Sequence, residues 1–426
     1  MAGWHGNFTK GEILSSPLPF RGGAGGGVCQ THTTLTRRTL LLSATTTALI
    51  PTALSAKPTQ TDAYHGQTDG QTTVYKGIRY GQATRFCPPK PVEFPQQLGI
   101  FGPVCPQQSD QYQPQSEDCL FLNIWTKTAP KPAHNTALKP VMVYIHGGAY
   151  SNGSVTDPLN NGAKLAENGD VVVVTVNHRL NALGYLYLPT RFPDSGNNGQ
   201  LDLILALQWL QKNIAVFGGN PRNITLFGQS GGGAKIATLM AMPAAKGLFH
   251  KAITMSGQQI TASGPLNAAR RTEAFVAKLN GADPATAPID QLISALSATD
   301  PILGGGVYMG PVLDMRNLIR HPFYPDAAPQ SLHIPMMLGN CVAETRAFFP
   351  PNHPKLQGLD WDNLATRAAP EMKIDINPDW VLAQFRSRYP SDSPETLFHR
   401  IVTAARSWRG QVIEAEERAK SNAPAY

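Results

Sequence analysis

The sequence predicts an α/β protein: a mostly parallel sheet with helices on both faces. Two observations carry that prediction. The first is a series of short, continuously apolar runs at 141–145, 171–176, 224–227, 252–254 and 335–338. Runs that are apolar throughout suit strands buried on both faces, and a helix-covered parallel sheet provides that environment. The second is helical periodicity between the runs: Leu201, Ile204, Leu205 and Trp209 fall on one face, at i, i+3, i+4 and i+8. Strands alternating with helices imply parallel neighbours joined by right-handed crossovers.

The first run follows Pro140 and ends at His146-Gly147-Gly148, and the second holds five valines in six positions. The helix on Leu201–Trp209 comes next. The run at 224–227 then leads through a glycine-rich turn into a helical stretch at 234–242. After the short run at 252–254, residues 265–300 have helical, polar-faced periodicity, and so does 361–420. Between these two stretches the run at 335–338 is closed by Gly339-Asn340. The two long helical stretches are expected to flank or cap a site.

Composition narrows the function classes. Of 426 residues, 42% are hydrophobic, enough for a large core, and 39 Gly with 36 Pro predict many loops and tight turns. The net charge is +7, yet the longest basic run beyond the N-terminal segment is Arg270-Arg271. A nucleic-acid binder concentrates its charge in a patch or stripe, so no nucleic-acid partner is expected. Five cysteines include no Cys-x-x-Cys pair, which gives a zinc or redox-motif reading no support.

The first 56 residues read as an export segment. Thr36-Arg37-Arg38-Thr39-Leu40-Leu41 is a twin-arginine pattern, followed by a weakly apolar run to Leu54 and small residues around Ala53-Leu54-Ser55-Ala56. That run is too short and too interrupted by Thr45–Thr47 and Pro51 to span a membrane. The residues ahead of it form an unusual extension, Gly-rich at 22–27. The expected product is an exported, periplasmic or secreted domain covering 57–426.

The sharpest chemical signal is Gly228-Gln229-Ser230-Gly231-Gly232, placed directly between a predicted strand and a predicted helix. A Gly-x-Ser-x-Gly at that junction makes a strained turn that lifts the serine hydroxyl above the sheet, the arrangement of an α/β-hydrolase nucleophile. The helix N-terminus beneath it favours a developing anion. Gly147 and Gly148, at the end of another strand, leave their N–H groups free to approach a substrate oxygen. With the N–H of Gly231 they are expected to form an oxyanion hole.

These motifs, with others in order along the chain, resemble the type-B carboxylesterases, the group that includes cholinesterases. Lys76-Gly77-Ile78-Arg79-Tyr80, Glu117-Asp118-Cys119-Leu120-Phe121-Leu122-Asn123, Phe217-Gly218-Gly219-Asn220-Pro221, Asn177-His178-Arg179-Leu180 and Ser256-Gly257 all fit. Gly231 stands where that family usually has Ala, and Gln229 where Glu is common. The resemblance implies a small carboxylic ester as substrate, an acyl-enzyme on Ser230 and no cofactor. It also implies a Cys105–Cys119 disulfide and Glu344 as the acid that orients the catalytic histidine. That histidine has no match: after Glu344 only His353 and His399 remain, and neither sits in the expected loop. The expectation is therefore a member that stops short of the strand and loop carrying its base. The rival readings are an impaired enzyme and a non-catalytic, cholinesterase-like binding module.

Overall fold

In the computed structural model, residues 63–128, 137–372, 374 and 376–426 are described. Ten strands occur among them, in chain order β1 (Gln67–Asp69), β2 (Thr72–Arg79), β3 (Gly81–Gln82), β4 (Lys90–Pro91), β5 (Phe121–Lys127), β6 (Lys139–Ile145), β7 (Val172–Val176), β8 (Gly219–Gln229), β9 (Lys251–Met255) and β10 (Met336–Gly339). The helices are α1 (Ala163–Gly169), α2 (Asn181–Tyr185), α3 (Asn198–Asn213), α4 (Gly231–Leu239), α5 (Pro265–Ala277), α6 (Ile289–Ala295), α7 (Leu364–Met372), α8 (Pro378–Arg388), α9 (Pro394–Thr403) and α10 (Arg409–Lys420). Apart from the small pair β3–β4, the strands form one eight-stranded sheet in the order β1-β2-β5-β7-β6-β8-β9-β10.

The five predicted strands are β6 to β10, and they pair in parallel: β7 on β6, β6 on β8, β8 on β9, β9 on β10. Val143 lies level with Val174 on one side and Leu226 on the other, all three essentially inaccessible to solvent. Each valine adds its χ1 stiffness and apolar area to a layer covered on both faces. The other three strands are antiparallel and were not expected as strands. In β2 the mixed burial and the register shift between Tyr75 and Ile78 blur any period of two.

Helix α3 buries Leu203, Ile204, Leu207 and Leu210 against the main core, and α4 buries all nine of its residues. The late helices enclose a satellite cluster built from Leu364, Met372, Leu397, Phe398 and Ile401. A π-helical turn, Ala404–Trp408, joins α9 to α10. Residues 424–426 run beside β10: Met336 N–H donates to Pro424 O at 3.1 Å and Tyr426 N–H to Met336 O at 2.9 Å. No helix among the described residues is long and apolar enough to cross a membrane.

The expected Cys105–Cys119 disulfide is not formed. Both residues are buried thiols lying side by side. The Cys105 sulfur accepts the Leu180 N–H at 3.2 Å. A hydrogen bond to Cys105, together with burial, pushes the Cys119 thiol well above its ordinary pKa. The twin-arginine segment lies outside the described residues.

Candidate active site

Strand β8 ends at Gln229 and helix α4 begins at Gly231, so Ser230 alone makes the turn between them. Its backbone sits at φ +54°, ψ −124°, a region that side-chain-bearing residues rarely occupy and that persists only when the surroundings enforce it. The surroundings do: Ser230 N–H donates to Met255 O at 2.8 Å, and Ser230 O accepts Ala234 N–H at 3.1 Å. The turn also presses on the loop after β6. A Cβ added to Gly232 would stand 2.0 Å from Ile145 O, and one on Gly231 would stand 2.2 Å from Ala149 O. At position 231, where the resemblance leads one to expect Ala, a Cβ would therefore require the loop to shift.

The loop itself turns at Gly148 (φ +84°) and Ala149 (φ +53°). It passes close enough to the nucleophile that a Cβ on Gly147 would lie 3.5 Å from the Ser230 Cβ. Among the described residues, the N–H groups of Gly147, Gly148 and Gly231 have no hydrogen-bond acceptor. Three unengaged donors thus sit around the serine.

Ser230 opens into a cavity of about 230 Å³, lined also by Ala149, Tyr150, Gly231, Tyr308, Glu344 and Phe348. A more polar cavity of about 500 Å³, with Gly147 and Gly148 in its wall, shares Gln229 with it. A depression of about 860 Å³ along Pro106, Glu117 and Ile289 shares no residue with the serine cavity. Glu344 opens a short 3-10 turn after β10, and its Oε1 accepts the Cys341 N–H at 2.7 Å.

Among the described residues, no histidine lines the serine cavity. The His399 Nδ1 is hydrogen-bonded to Thr345 Oγ1 at 2.9 Å inside the satellite helices, and burial lowers its pKa. The His353 Nδ1 accepts the Lys355 N–H at 3.2 Å. His146 donates Nδ1–H to Gly147 O at 2.9 Å and stacks on His178 with ring centroids 4.6 Å apart. Burial drives the His146 pKa down to about 3 and that of His178 well below its usual value, so both rings are neutral.

Several residues at the site escaped the sequence reading. Arg406 and Ser407 reach the cavity from the π-helical turn, with the Arg406 guanidinium 4.0 Å from the Phe348 ring. Tyr150 donates to the Gln259 side chain at 2.8 Å, and the Gln259 N–H donates to the buried Glu414. Lys235 lies fully buried on α4. Of these, only Lys235 leaves a sequence signal: a lone cation in a helix otherwise made of small and apolar residues.

Comparison with known proteins identifies the family and the fold. The model of the carboxylesterase family matches residues 61–406. The para-nitrobenzyl esterase of Bacillus subtilis is 37% identical over 321 residues, 69% of this chain and 64% of that protein. A probable N-octanoylanthranilate hydrolase of Rhodococcus erythropolis is 33% identical over 320 residues, 70% of this chain and 69% of its own length. Among solved structures, a carboxylesterase of Geobacillus stearothermophilus superposes with TM-score 0.72 at 33% identity, covering 85% of this chain and 76% of that one.

Proposed function

The chain belongs to the carboxylesterase family, and on that premise we propose that it hydrolyses small carboxylic esters through an acyl-enzyme on Ser230. The observation that carries the reading is the strained Ser230 backbone at the strand–helix junction, with three unengaged N–H groups beside it. The Ser230 hydroxyl attacks the ester carbonyl, the alcohol leaves, and water releases the acid. The amides of Gly147, Gly148 and Gly231 hold the oxyanion that forms in both steps. Losing one such donor typically costs about 3–4 kcal/mol in the transition state. Glu344, in the wall of the same cavity, is the proposed triad acid. The cavity's modest volume favours a short acyl chain, with Tyr150, Tyr308 and Phe348 offering it apolar walls.

A second reading is favoured by one observation, the lack of a histidine in the cavity wall. Under it Ser230 acylates but turns over slowly, because no imidazole accepts its proton or activates water. Residual acceleration from the oxyanion hole and binding alone is about 10³–10⁴ over water. A fluorophosphonate probe followed by peptide mapping tests the nucleophile under both readings. Label on Ser230 is expected. Label on Ser256 with Ser230 untouched would refute the assignment. The two readings then differ in steady-state turnover of p-nitrophenyl acetate, at esterase rates in the first and after at most a single acylation in the second.

Export is proposed on the Arg37-Arg38 segment, with removal of residues up to about Ala56. The N-terminal sequence of protein recovered from a bacterial periplasm checks it. An uncleaved, cytoplasm-retained chain would contradict it.

A further inference from the structure

Lys235 is the one fully buried lysine among the described residues, five positions after the nucleophile on α4. Its ammonium has no carboxylate partner there. It donates instead to two main-chain carbonyls, His146 O at 3.2 Å and Ala149 O at 2.8 Å. Those carbonyls bracket the dipeptide Gly147-Gly148. The His146 carbonyl also shares a planar trans peptide unit with the Gly147 N–H. A donor that fixes this C=O from below therefore aims the Gly147 N–H the opposite way. A charged donor on the carbonyl also polarises the N–H at the far end of the same unit.

We propose that Lys235 is a positioning residue for the oxyanion hole: its ammonium orients the 146–149 loop and polarises the Gly147 N–H toward the anion formed at Ser230. The proposal rests on the reading of Ser230 as nucleophile. The groups facing Lys235 are the imidazoles of His146 and His178, the Tyr150 ring 5.5 Å from its Nζ, and Gln200, whose side chain donates to the Lys235 carbonyl. At neutral pH none of them carries a charge, so nothing nearby neutralises the cation except a developing oxyanion. Burial brings the Lys235 pKa down to about 7, so the charge is partly lost within an ordinary working range. The neutral amine can still donate a hydrogen bond, which separates two effects: raising the pH removes the charge, whereas Lys235→Met removes the charge and the hydrogen bonds together.

The full chain and its Lys235→Met variant, each labelled with ¹³C-carbonyl histidine and ¹⁵N-glycine, provide the test. This labelling selects His-Gly pairs, and the sequence has His5-Gly6, His65-Gly66 and His146-Gly147. The His146-Gly147 signal, identified as the one displaced by the substitution, should titrate near neutral pH in both carbonyl and amide shift in the wild type. In the variant that signal should be displaced and no longer titrate. In parallel, the wild-type-to-variant ratio of fluorophosphonate labelling rates should be roughly tenfold or more at pH 6.5, a fraction of a full donor's effect. It should fall as pH rises to 9, and taking the ratio cancels whatever group acts as base. A folded variant that labels at the wild-type rate at every pH overturns the proposal, even if the signal moves. If the wild type takes no label at all, the Ser230 reading has failed. The titration then decides alone, and a pH-independent His146-Gly147 signal in the wild type would overturn the positioning role as well.

Discussion

A buried lysine without a counter-ion should leave a signature in the pH dependence of stability, and its size follows from the structure. Burial depresses the Lys235 pKa from 10.5 to about 7. Between those values the unfolded chain holds a proton there that the folded chain has partly or wholly released. Stability therefore rises with pH across that window and is lost as pH falls toward 7. From pH 7 to 9.5 this linkage amounts to about 3 kcal/mol, at 1.36 kcal/mol per unit of pKa difference. With roughly 2.1 cal/mol/K of unfolding entropy per residue, 426 residues give roughly 0.9 kcal/mol/K, so the shift is roughly 3 °C in Tm. Glu414 acts in the opposite sense: burial raises its pKa to about 8, so its contribution fades as pH rises through that value. The assay must therefore compare Tm of the wild type with Tm of Lys235→Met at each pH by calorimetry. At pH 7 the variant sheds a buried charge but orphans two carbonyls, so the absolute difference is small. The wild type should then gain roughly 3 °C relative to the variant by pH 9.5. A Tm difference that stays constant with pH would refute the claim that Lys235 enters the fold at the expense of its charge.

Three further outcomes are expected. Gly231→Ala puts a Cβ 2.2 Å from Ala149 O, so the loop must retreat. Overpacking of this kind costs about 1–3 kcal/mol, read from urea denaturation, and fluorophosphonate labelling should slow; unchanged labelling and stability would show that the loop yields freely. Arg179→Ala strands Asp202, which is fully buried and bonded by Arg179 at 2.7 Å and 2.8 Å. Stability should fall by about 3–5 kcal/mol, and a loss below 1 kcal/mol would contradict the pairing. His146 is neutral when folded and protonates when unfolded below pH 6.5, so stability present above that pH is lost as pH falls toward 3. Its share is about 2 kcal/mol at pH 5, and a His146→Gln variant should lose that part of the acid sensitivity.

Legibility in the sequence followed the physics of each element. Strand β7 and the stretch 224–226 of β8 could be read because strands buried on both faces need no polar residue, and a run such as 171–176 has little alternative fate; β9 and β10 bury only alternate positions and were legible because their more open positions are also largely apolar. Strand β2 could not, since its mixed burial and the kink at Gly77 (φ +65°) mask alternation, and in β5 the buried Asn123 interrupts the apolar run. The elbow at Ser230 was legible because the motif's two glycines, Gly228 and Gly232, sit where an added Cβ would stand 2.8 Å and 2.0 Å from Ile145 O. Lys235 left a signal, a lone cation in an apolar helix, but not its role, because lysine is a surface residue by default and its burial depends on the packing of α4 against the loop after β6. Arg406 and Ser407 depend on a π-helical turn that no periodicity announces. The Cys105–Cys119 pairing came from resemblance. It gave the correct neighbours, which the structure holds as two buried free thiols, and whether a bond joins them depends on the redox compartment, which residue patterns within the domain do not encode.

The central claim is that Ser230 is acylated, and trapping the acyl-enzyme tests it most directly. The protein is mixed with p-nitrophenyl acetate, quenched in acid within the first turnover and digested, and its peptides are read by mass spectrometry. The account predicts one acetyl group per chain, on the peptide containing Gly228-Gln229-Ser230-Gly231-Gly232, and none on that peptide in Ser230→Ala. Acetylation that persists elsewhere at the same stoichiometry in Ser230→Ala, with Ser230 itself unmodified in the wild type, would contradict it.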